Sequence, residues 1–186
     1  MTLHPARRDW NDLEDAELVR LYRDKSLDAA LETLVRRYQV RLFRVVLGIV
    51  DNRGLAEELC QRAFVKAALK IDQLKNDEAF FGWLLTIART ATMDELRSRS
   101  RRKTLQSEYQ QKEAVADPSG QREARSTVKA VLQKMSAEER VVILLADLEG
   151  QSMQEIAEAL DISESAAKMR VKRAREQFRT FLEAES

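Results

Sequence analysis

The sequence predicts an all-α protein, made of two small helical domains joined by a flexible linker. Glycine and proline, which β-rich folds need at their many turns, number only 5 and 2 in 186 residues. Hydrophobic residues make up 44% of the chain and charged residues 34%, a balance typical of helices with one polar face. Apolar residues recur every three or four positions in most of the chain, but they are scarce in Thr104–Glu123.

Four helices are predicted in the first half of the chain, at Asp15–Arg23, Leu27–Val50, Leu55–Ile71 and Phe80–Arg102. Apolar residues form one face of the first helix and a continuous stripe along the second, as expected where helices share a core. The turn-forming residues Asp51–Gly54 separate the second helix from the third. In the polar loop Asp72–Ala79, either Asn76 or Asp77 can cap the fourth helix.

The composition changes after the fourth helix. Thr104–Glu123 contains little apolar material and includes the turn-forming sequence "ADPSGQ" at 116–121, which is typical of a linker. We therefore predict an N-terminal tail at 1–14, a first domain at 15–103, a linker at 104–124 and a second domain at 125–186.

The second domain is predicted to contain helices at Arg125–Met135, Ala137–Asp147, Met153–Leu160 and Glu164–Leu182. Capping boxes formed by Ser136 with Glu139 and by Ser152 with Glu155 mark two of the helix starts. A short helix, a tight connection and a longer helix form the helix-turn-helix pattern, whose second helix can enter the DNA major groove. The pattern alone also fits an αα-hairpin that has no role in DNA binding.

The charge distribution favours DNA. Residues 104–186 contain 12 Lys/Arg and 15 Asp/Glu, yet Lys168–Arg179 holds six basic residues and only one acid, Glu176. Basic side chains that neutralise phosphates release counterions, and this release drives binding. The residues predicted to reach base edges are Lys168, Met169, Lys172 and Arg173, and those predicted to hold phosphates are Arg170, Arg175 and Arg179.

The fourth helix ends in a second basic cluster. Its cations, more than a helix dipole requires, are Arg97, Arg99, Arg101, Arg102 and Lys103. Trp83 and Arg89 precede this cluster, and aromatic side chains beside a cationic track are one way of holding single-stranded nucleic acid. However, Phe80, Phe81 and Trp83 are more typical of a core than of a stacking surface, so this pattern alone does not establish binding of single-stranded nucleic acid.

Several classes of protein are disfavoured. A single cysteine, Cys60, and a single histidine, His4, cannot form a Cys/His metal cage or an internal disulfide, and Cys60 is predicted to be a small buried hydrophobe. Phosphate-binding loops and common catalytic motifs are missing from the sequence, so we predict no enzyme, catalytic residue, metal or cofactor. No apolar run approaches the roughly 20 residues that span a bilayer, which predicts a cytoplasmic protein without membrane insertion.

Three stretches in order, "AEELCQRAF" (56–64), "WLLTIARTATMDELRSRSRR" (83–102) and "DLEGQSMQEIAEALDISESAAKMRVKRAR" (147–175), resemble bacterial RNA polymerase sigma factors of the extracytoplasmic-function group, within the sigma-70 family. The resemblance covers nearly the whole chain, from about Asp15 to Arg179. It implies binding to the β′ clamp and β flap of core RNA polymerase, recognition of the −10 and −35 promoter elements, and help in melting DNA. It also implies control by an anti-sigma protein in a stress response.

The resemblance further implies which residues form each site. The polymerase-docking residues would be Glu58, Leu59, Gln61 and Phe64. The residues at the −10 element would be Asn76, in a loop that holds an unstacked base, and Trp83, Arg89, Thr90, Arg97, Arg99, Arg101 and Arg102. The residues at the −35 element would be Lys168, Met169, Arg170, Lys172, Arg173 and Arg175.

The chain departs from the family pattern at three places. Thr90 stands where asparagine is usual, Ser165–Ala167 where Gly-Thr-Val is usual, and Asp161 in a turn where glycine is common. Two other hypotheses stay open: a helix-turn-helix regulator that does not dock on polymerase, and a sigma mimic that does not touch DNA. The polar face of the third helix argues against the regulator, and the basic cluster of the last helix argues against the mimic.

Overall fold

The computed structural model describes residues 9–105 and 122–185, with side chains described for 9–102 and 127–185. Over these ranges every regular element is a helix, which confirms the all-α prediction. The α-helices are α1 (Asp15–Lys25), α2 (Asp28–Val50), α3 (Arg53–Leu69), α4 (Phe80–Leu105), α5 (Arg122–Lys134), α6 (Ala137–Ile143), α7 (Met153–Leu160) and α8 (Glu164–Glu183). Most of the predicted linker and residues 1–8 lie outside the described residues.

The first half of the chain packs around α2, which contacts α1, α3 and α4. The predicted stripe of α2 is buried, with Leu34 and Leu42 fully inaccessible to solvent. Phe80 and Leu84 of α4 are also fully buried. Each such side chain contributes about 1.5–3 kcal/mol by leaving water, so this core holds α3 and α4 in fixed positions. The predicted tail is not separate throughout, because Trp10 packs against the core.

Cys60 is buried in α3, as predicted. Burial, with a smaller contribution from the carboxylate of Glu57, raises the pKa of the Cys60 thiol to about 12. Only the thiolate reacts readily, so we expect alkylation of Cys60 at pH 8 to be slow in the folded protein and fast in urea. Mass spectrometry of the alkylated protein tests this, and rapid modification without urea would contradict it.

Three helices of the second half of the chain, α6, α7 and α8, begin where the sequence predicted, whereas α5 begins three residues earlier, at Arg122. In both capping boxes the serine hydroxyl accepts from the backbone N–H of the glutamate three residues later, at 3.3 Å for Ser136 and 3.2 Å for Ser152. Each glutamate accepts in return from the backbone N–H of its serine. The end of α6 also differs from the prediction: the α-helix ends at Ile143, and a turn of π-helix continues to Leu148.

The connection between α7 and α8 contains Asp161, whose backbone is left-handed with a φ of 53°. This conformation strains residues with a side chain, although aspartate tolerates it better than most. We expect Asp161→Gly to raise the free energy of unfolding by about 0.5–1 kcal/mol. The exposed, helical Glu158 provides the control, because Glu158→Gly should lower stability by a similar amount. Urea denaturation distinguishes them; equal destabilisation would show that Asp161 is not strained.

The two halves of the chain pack against each other along α2 and α4. Leu144 of the π-helical turn approaches Gly48 so closely that a Cβ at that glycine would lie 2.7 Å from a Leu144 methyl carbon. The Nε of Arg41 donates to Glu149 at 2.9 Å, and its guanidinium lies 4.1 Å from the centre of the Phe81 ring. The Glu149 side chain is only 4% exposed. This contact is therefore an ion pair beside an aromatic ring, in which the carboxylate is nearly dehydrated and the arginine is partly exposed.

Candidate nucleic-acid and polymerase interfaces

α7 and α8 form the predicted helix-turn-helix. Only three residues, 161–163, connect them, and the hydroxyl of Ser163 caps α8 by accepting from the backbone N–H of Ala166. Ile156 and Ala167 are fully buried between the helices, and Val171 is 3% exposed. Small side chains at this contact let the two helices approach closely, which fixes the direction of α8.

The opposite face of α8 is exposed and basic. Its outward residues are Lys168, Met169, Arg170, Lys172 and Arg173. Lys168 pairs with Glu164 at 2.7 Å, and Lys172 with Glu176 at 3.8 Å. Exposed pairs of this kind are worth only a few tenths of a kcal/mol, so a phosphate can replace them. Arg170 and Arg173 have no ion-pair partner among the described residues.

Arg175 has a different environment from the one predicted. Its guanidinium donates three hydrogen bonds to Asp147: Nη2 and Nε lie 2.6 and 3.2 Å from one carboxylate oxygen, and Nε lies 3.3 Å from the other. The hydrogen bonds that Arg175 donates to Asp147 raise the pKa of Arg175, and the pair ties α8 to the π-helical turn. A DNA contact by Arg175 would have to replace this bidentate pair.

The aromatic residues at the start of α4 belong mainly to the core. Phe80 and Phe81 are buried, and the half-buried Trp83 packs on Phe80 with ring centres 6.3 Å apart. Arg89 is half-buried, and its Nε has no hydrogen-bond partner. Burial, followed by repulsion from Arg97 and Arg170, lowers the pKa of Arg89. The exposed Thr90 donates its hydroxyl to the carbonyl of the residue four positions earlier.

Acidic side chains neutralise part of the basic cluster at the end of α4. Arg97 pairs with Asp94 at 3.4 Å, and Arg99 and Arg102 both pair with Glu95, at 2.8 and 3.2 Å. The hydrogen bond from Arg99, assisted by the surrounding arginine charges, lowers the pKa of Glu95. Arg101 is exposed and has no such partner in the described part of the chain.

We expect the double substitution Arg99→Ala and Arg101→Ala to weaken promoter binding without changing sequence preference. Each lost phosphate contact should lower the slope of log affinity against log salt by about 0.7–0.9. Affinity measured over a range of salt concentrations gives this slope. As a control, Arg36→Ala with Arg44→Ala removes the same charge from the exposed side of α2. An unchanged slope in the α4 variant would show that these arginines do not contact phosphate.

The loop between α3 and α4 holds two short 3₁₀ turns, Ile71–Gln73 and Asp77–Ala79. Asn76 caps the second turn, its side-chain oxygen accepting from the backbone N–H of Glu78 at 3.1 Å. The predicted cap of the fourth helix thus lies one turn earlier, since Asn76 caps the 3₁₀ turn that leads into α4. Lys75 and Asn76 are exposed, so their side chains are accessible to a ligand.

The exposed side of α3 differs from the predicted docking set at one position. Leu59 is fully buried and supports the helix from inside, so it is not accessible to a partner. Glu58 and Gln61 are exposed, and Phe64 is half-buried against the core. Helix geometry explains why Leu59 is absent from the exposed side, because this residue lies on the same side as the core residues of α3.

Two apolar residues that the sequence analysis missed lie on the exposed side of α3. Val65 is 55% exposed and Leu69 is 80% exposed. The helical spacing places them in line with Glu58, Gln61 and Arg62, and we call these five residues the α3 face. The four-residue spacing of Gln61, Val65 and Leu69 is the sequence signal that indicates a shared exposed side. Exposed aliphatic side chains in a row are typical of a protein contact surface.

A second apolar surface lies in the second half of the chain. An open groove of about 440 Å³ runs between α5, α6, the π-helical turn and α8. Leu132, Ile143 and Phe178 line it, and the charged side chains of Asp147 and Arg179 border it. Arg179 is thus placed beside this groove, whereas the sequence analysis assigned it to phosphate. We call this feature the α5–α8 groove.

Comparison with known families identifies the chain. Residues 34–102 match the family model described as sigma-70 region 2, and residues 125–178 match that described as sigma-70 region 4. The chain belongs to the sigma-70 family. Region 2 covers α3 and most of α2 and α4, and region 4 contains the helix-turn-helix. The sigma factor is therefore a transcription initiation factor that recognises promoter DNA and acts with core RNA polymerase.

Individual relatives agree with this family. The sigma factor is 27% identical to the extracytoplasmic-function (ECF) RNA polymerase sigma factor SigE of Mycolicibacterium smegmatis, over 86% of this chain but only 64% of that protein. It is 29% identical to RNA polymerase sigma factor CarQ of Myxococcus xanthus, over 87% of this chain and 93% of that one. The solved structure of CnrH in complex with the cytosolic domain of CnrY is similar, with a TM-score of 0.71, 26% identity and coverage of 92% and 99%.

Membrane-spanning helices and clusters of metal ligands are both absent from the described ranges. None of the helices there combines the length and the apolar character needed to cross a membrane. Nor do histidine, cysteine and carboxylate side chains gather there into a group able to hold a metal ion.

Proposed function

We propose that this sigma factor reads the −35 element with α8, captures the non-template strand of the −10 element with the α3–α4 loop and α4, and docks on polymerase through the α3 face. The exposed basic side of α8 is the observation that carries this proposal. Buried alanine and valine residues hold one side of the helix against α7, which leaves the cationic side free for a groove.

The side chains of α8 suggest separate roles at the −35 element. Arg173 has the fork geometry that pairs with the O6 and N7 atoms of guanine, and it has no competing ion pair within the described residues. Met169 is 49% exposed and can contact a thymine methyl group. Lys168 and Lys172 can exchange their weak intrahelical pairs for phosphates, which would add affinity without sequence preference.

We expect Arg173→Ala to reduce promoter affinity by about 1–3 kcal/mol and to relax preference at one −35 position. The measurement is binding of the holoenzyme to promoters varied one base at a time. Arg44→Ala, which removes an exposed arginine from α2, should leave both quantities unchanged. If the variant keeps its full −35 preference, α8 does not read that base pair through Arg173.

At the −10 element, the first domain would capture the non-template strand. Taking a base out of the stack costs a few kcal/mol, which contacts in a pocket must offset. The exposed loop residues Lys75 and Asn76 are placed to contact such a base, and the basic end of α4 to follow the upstream phosphates. Arg89 would find in a phosphate the partner that its buried Nε lacks.

Polymerase docking is proposed at two apolar surfaces. The α3 face combines Glu58, Gln61 and Arg62 with two exposed aliphatic residues, a mixture typical of protein interfaces. The α5–α8 groove is an open apolar channel with charged borders, which suits an amphipathic segment of a partner. We assign the α3 face to the β′ clamp and the α5–α8 groove to the β flap.

We further propose that an anti-sigma protein controls this factor in the cytoplasm, where its polymerase works, and that the factor itself makes or breaks no covalent bond. The family resemblance supports the regulation, as does the similar protein CnrH, which was solved with the cytosolic domain of CnrY. Purification of the tagged factor from cells distinguishes the alternatives. Core polymerase subunits should accompany it, whereas a regulator independent of polymerase would be recovered without them.

A further inference from the structure

Arg23 connects α1 to the loop between α3 and α4. The Nη2 of Arg23 donates to the backbone carbonyls of Ile71 and Leu74, at 3.3 and 3.2 Å, and lies 2.7 Å from a carboxylate oxygen of Asp77. Three points spread over seven residues of the loop are thus attached to a single guanidinium. The sequence analysis gave no functional role to α1.

The burial of these groups makes the attachment strong. The side chains of Arg23 and Asp77 are 22% and 20% exposed, so both charges are largely shielded from water. Hydrogen bonds that involve ionised groups are shorter and stronger than neutral ones, and the partial burial reduces competition from solvent. Arg20 also approaches Asp77, at 3.3 Å, but Arg20 is 61% exposed and contributes less.

The loop that Arg23 holds has one side buried in the core and the other side exposed to solvent. Ile71 and Leu74 are about 5% and 6% exposed, so their side chains anchor the loop in the core. Lys75 and Asn76 lie between Leu74 and Asp77, both of which are held by Arg23, and they are exposed. A loop held at both ends of its exposed segment loses little freedom when it binds a base, which favours capture.

We propose that Arg23 is a positioning residue for the −10 element: it holds the α3–α4 loop in the conformation that captures a base, and it does so without touching DNA. The inference rests on the function proposed above for that loop. All three contacts converge on one atom, Nη2 of Arg23, which the planar guanidinium fixes in place. Lysine keeps the charge, but its compact, strongly hydrated ammonium sits on a flexible stem, so we expect it to hold the three partners less well.

The test uses the full-length factor bound to core polymerase, with Arg23→Lys and Asp77→Asn as conservative variants. Run-off transcription from promoters varied at each −10 position gives the discrimination between bases. The unmodified factor should favour the correct base by about tenfold or more at a well-read position, and both variants should reduce this to about twofold. Arg20→Lys, which changes the exposed neighbour on α1, should retain the full discrimination.

Further measurements separate positioning from loss of structure. In both variants, core affinity and −35 preference should be unchanged, while amide hydrogen exchange in residues 71–79 becomes faster. Full −10 discrimination or unchanged exchange in both variants overturns the role of Arg23. Joint loss of −10 discrimination, −35 preference and core affinity also overturns it, since Arg23 would then support the whole fold. An unmodified factor without −10 discrimination would instead reject the function proposed for the loop and, with it, this inference.

Discussion

Replacing both Val65 and Leu69 with aspartate should lower the affinity of the sigma factor for core polymerase by about 2–4 kcal/mol. These side chains are 55% and 80% exposed in the free protein, and an interface that covers them gains apolar contact. Aspartate at the same positions would have to lose its hydration without a partner, which adds to the cost. Fluorescence titration of labelled sigma factor with core enzyme measures the change.

A matched control is available on α2. Val40 is 53% exposed, close to the value for Val65, and it lies outside the α3 face. Val40→Asp introduces the same change as Val65→Asp, one of the two charges of the double variant, and we expect core affinity to stay within about twofold of the unmodified value, as for most surface changes. Wild-type affinity in the double variant, with its thermal unfolding unchanged, would place the docking surface elsewhere.

Arg41→Ala should release the second half of the chain from the first. The substitution leaves Glu149 in a site where its side chain is 4% exposed, and an unpaired buried carboxylate is costly. Arg41 itself is 44% exposed, and separation of the two halves would rehydrate Glu149, so we expect the contact to weaken by about 1–3 kcal/mol. Small-angle scattering of the free factor should then show a larger radius of gyration.

Two further variants distinguish loss of the ion pair from loss of charge alone. Arg44→Ala removes a neighbouring exposed arginine of the same helix and should leave the radius of gyration unchanged. Adding Glu149→Gln to Arg41→Ala removes the unpaired charge and should restore part of the compact arrangement. If Arg41→Ala scatters like the unmodified protein, this ion pair does not hold the two halves together.

Local sequence signals identified the helices well, because those signals act over one or two turns. The stripe of α2, the capping boxes at Ser136 and Ser152, and the turn at Asp161 each depend on residues within four positions of one another. The helix-turn-helix was predictable for the same reason, since its buried residues follow directly from helical spacing. Several helix boundaries were misplaced by two to four residues: α4 ends three residues later than predicted and α5 begins three residues earlier. At the end of α6 the chain continues as a π-helical turn, which few sequence patterns indicate.

The functional surfaces depended on contacts that are distant in sequence, and these were harder to predict. Arg41 and Glu149 are 108 positions apart, and no local pattern around either residue indicates their pairing. The sequence indicates no partner for Arg175, but in the structure its pairing with Asp147 makes this cation less available to DNA. Leu59 was predicted to contact polymerase from its position in the family motif alone. In the structure it is buried, and burial decides which residues of the motif are accessible to a partner.

Run-off transcription tests most directly whether this factor directs polymerase through two promoter contacts. Purified core enzyme and the full-length factor should start transcripts at defined sites in a genomic library, each preceded by two conserved elements at a fixed spacing. Arg173→Ala should alter selection at the upstream element only, and Arg23→Lys at the downstream one only. Folded factor that gives no defined start site with core enzyme, in the absence of any inhibitor, would contradict the function proposed for both domains.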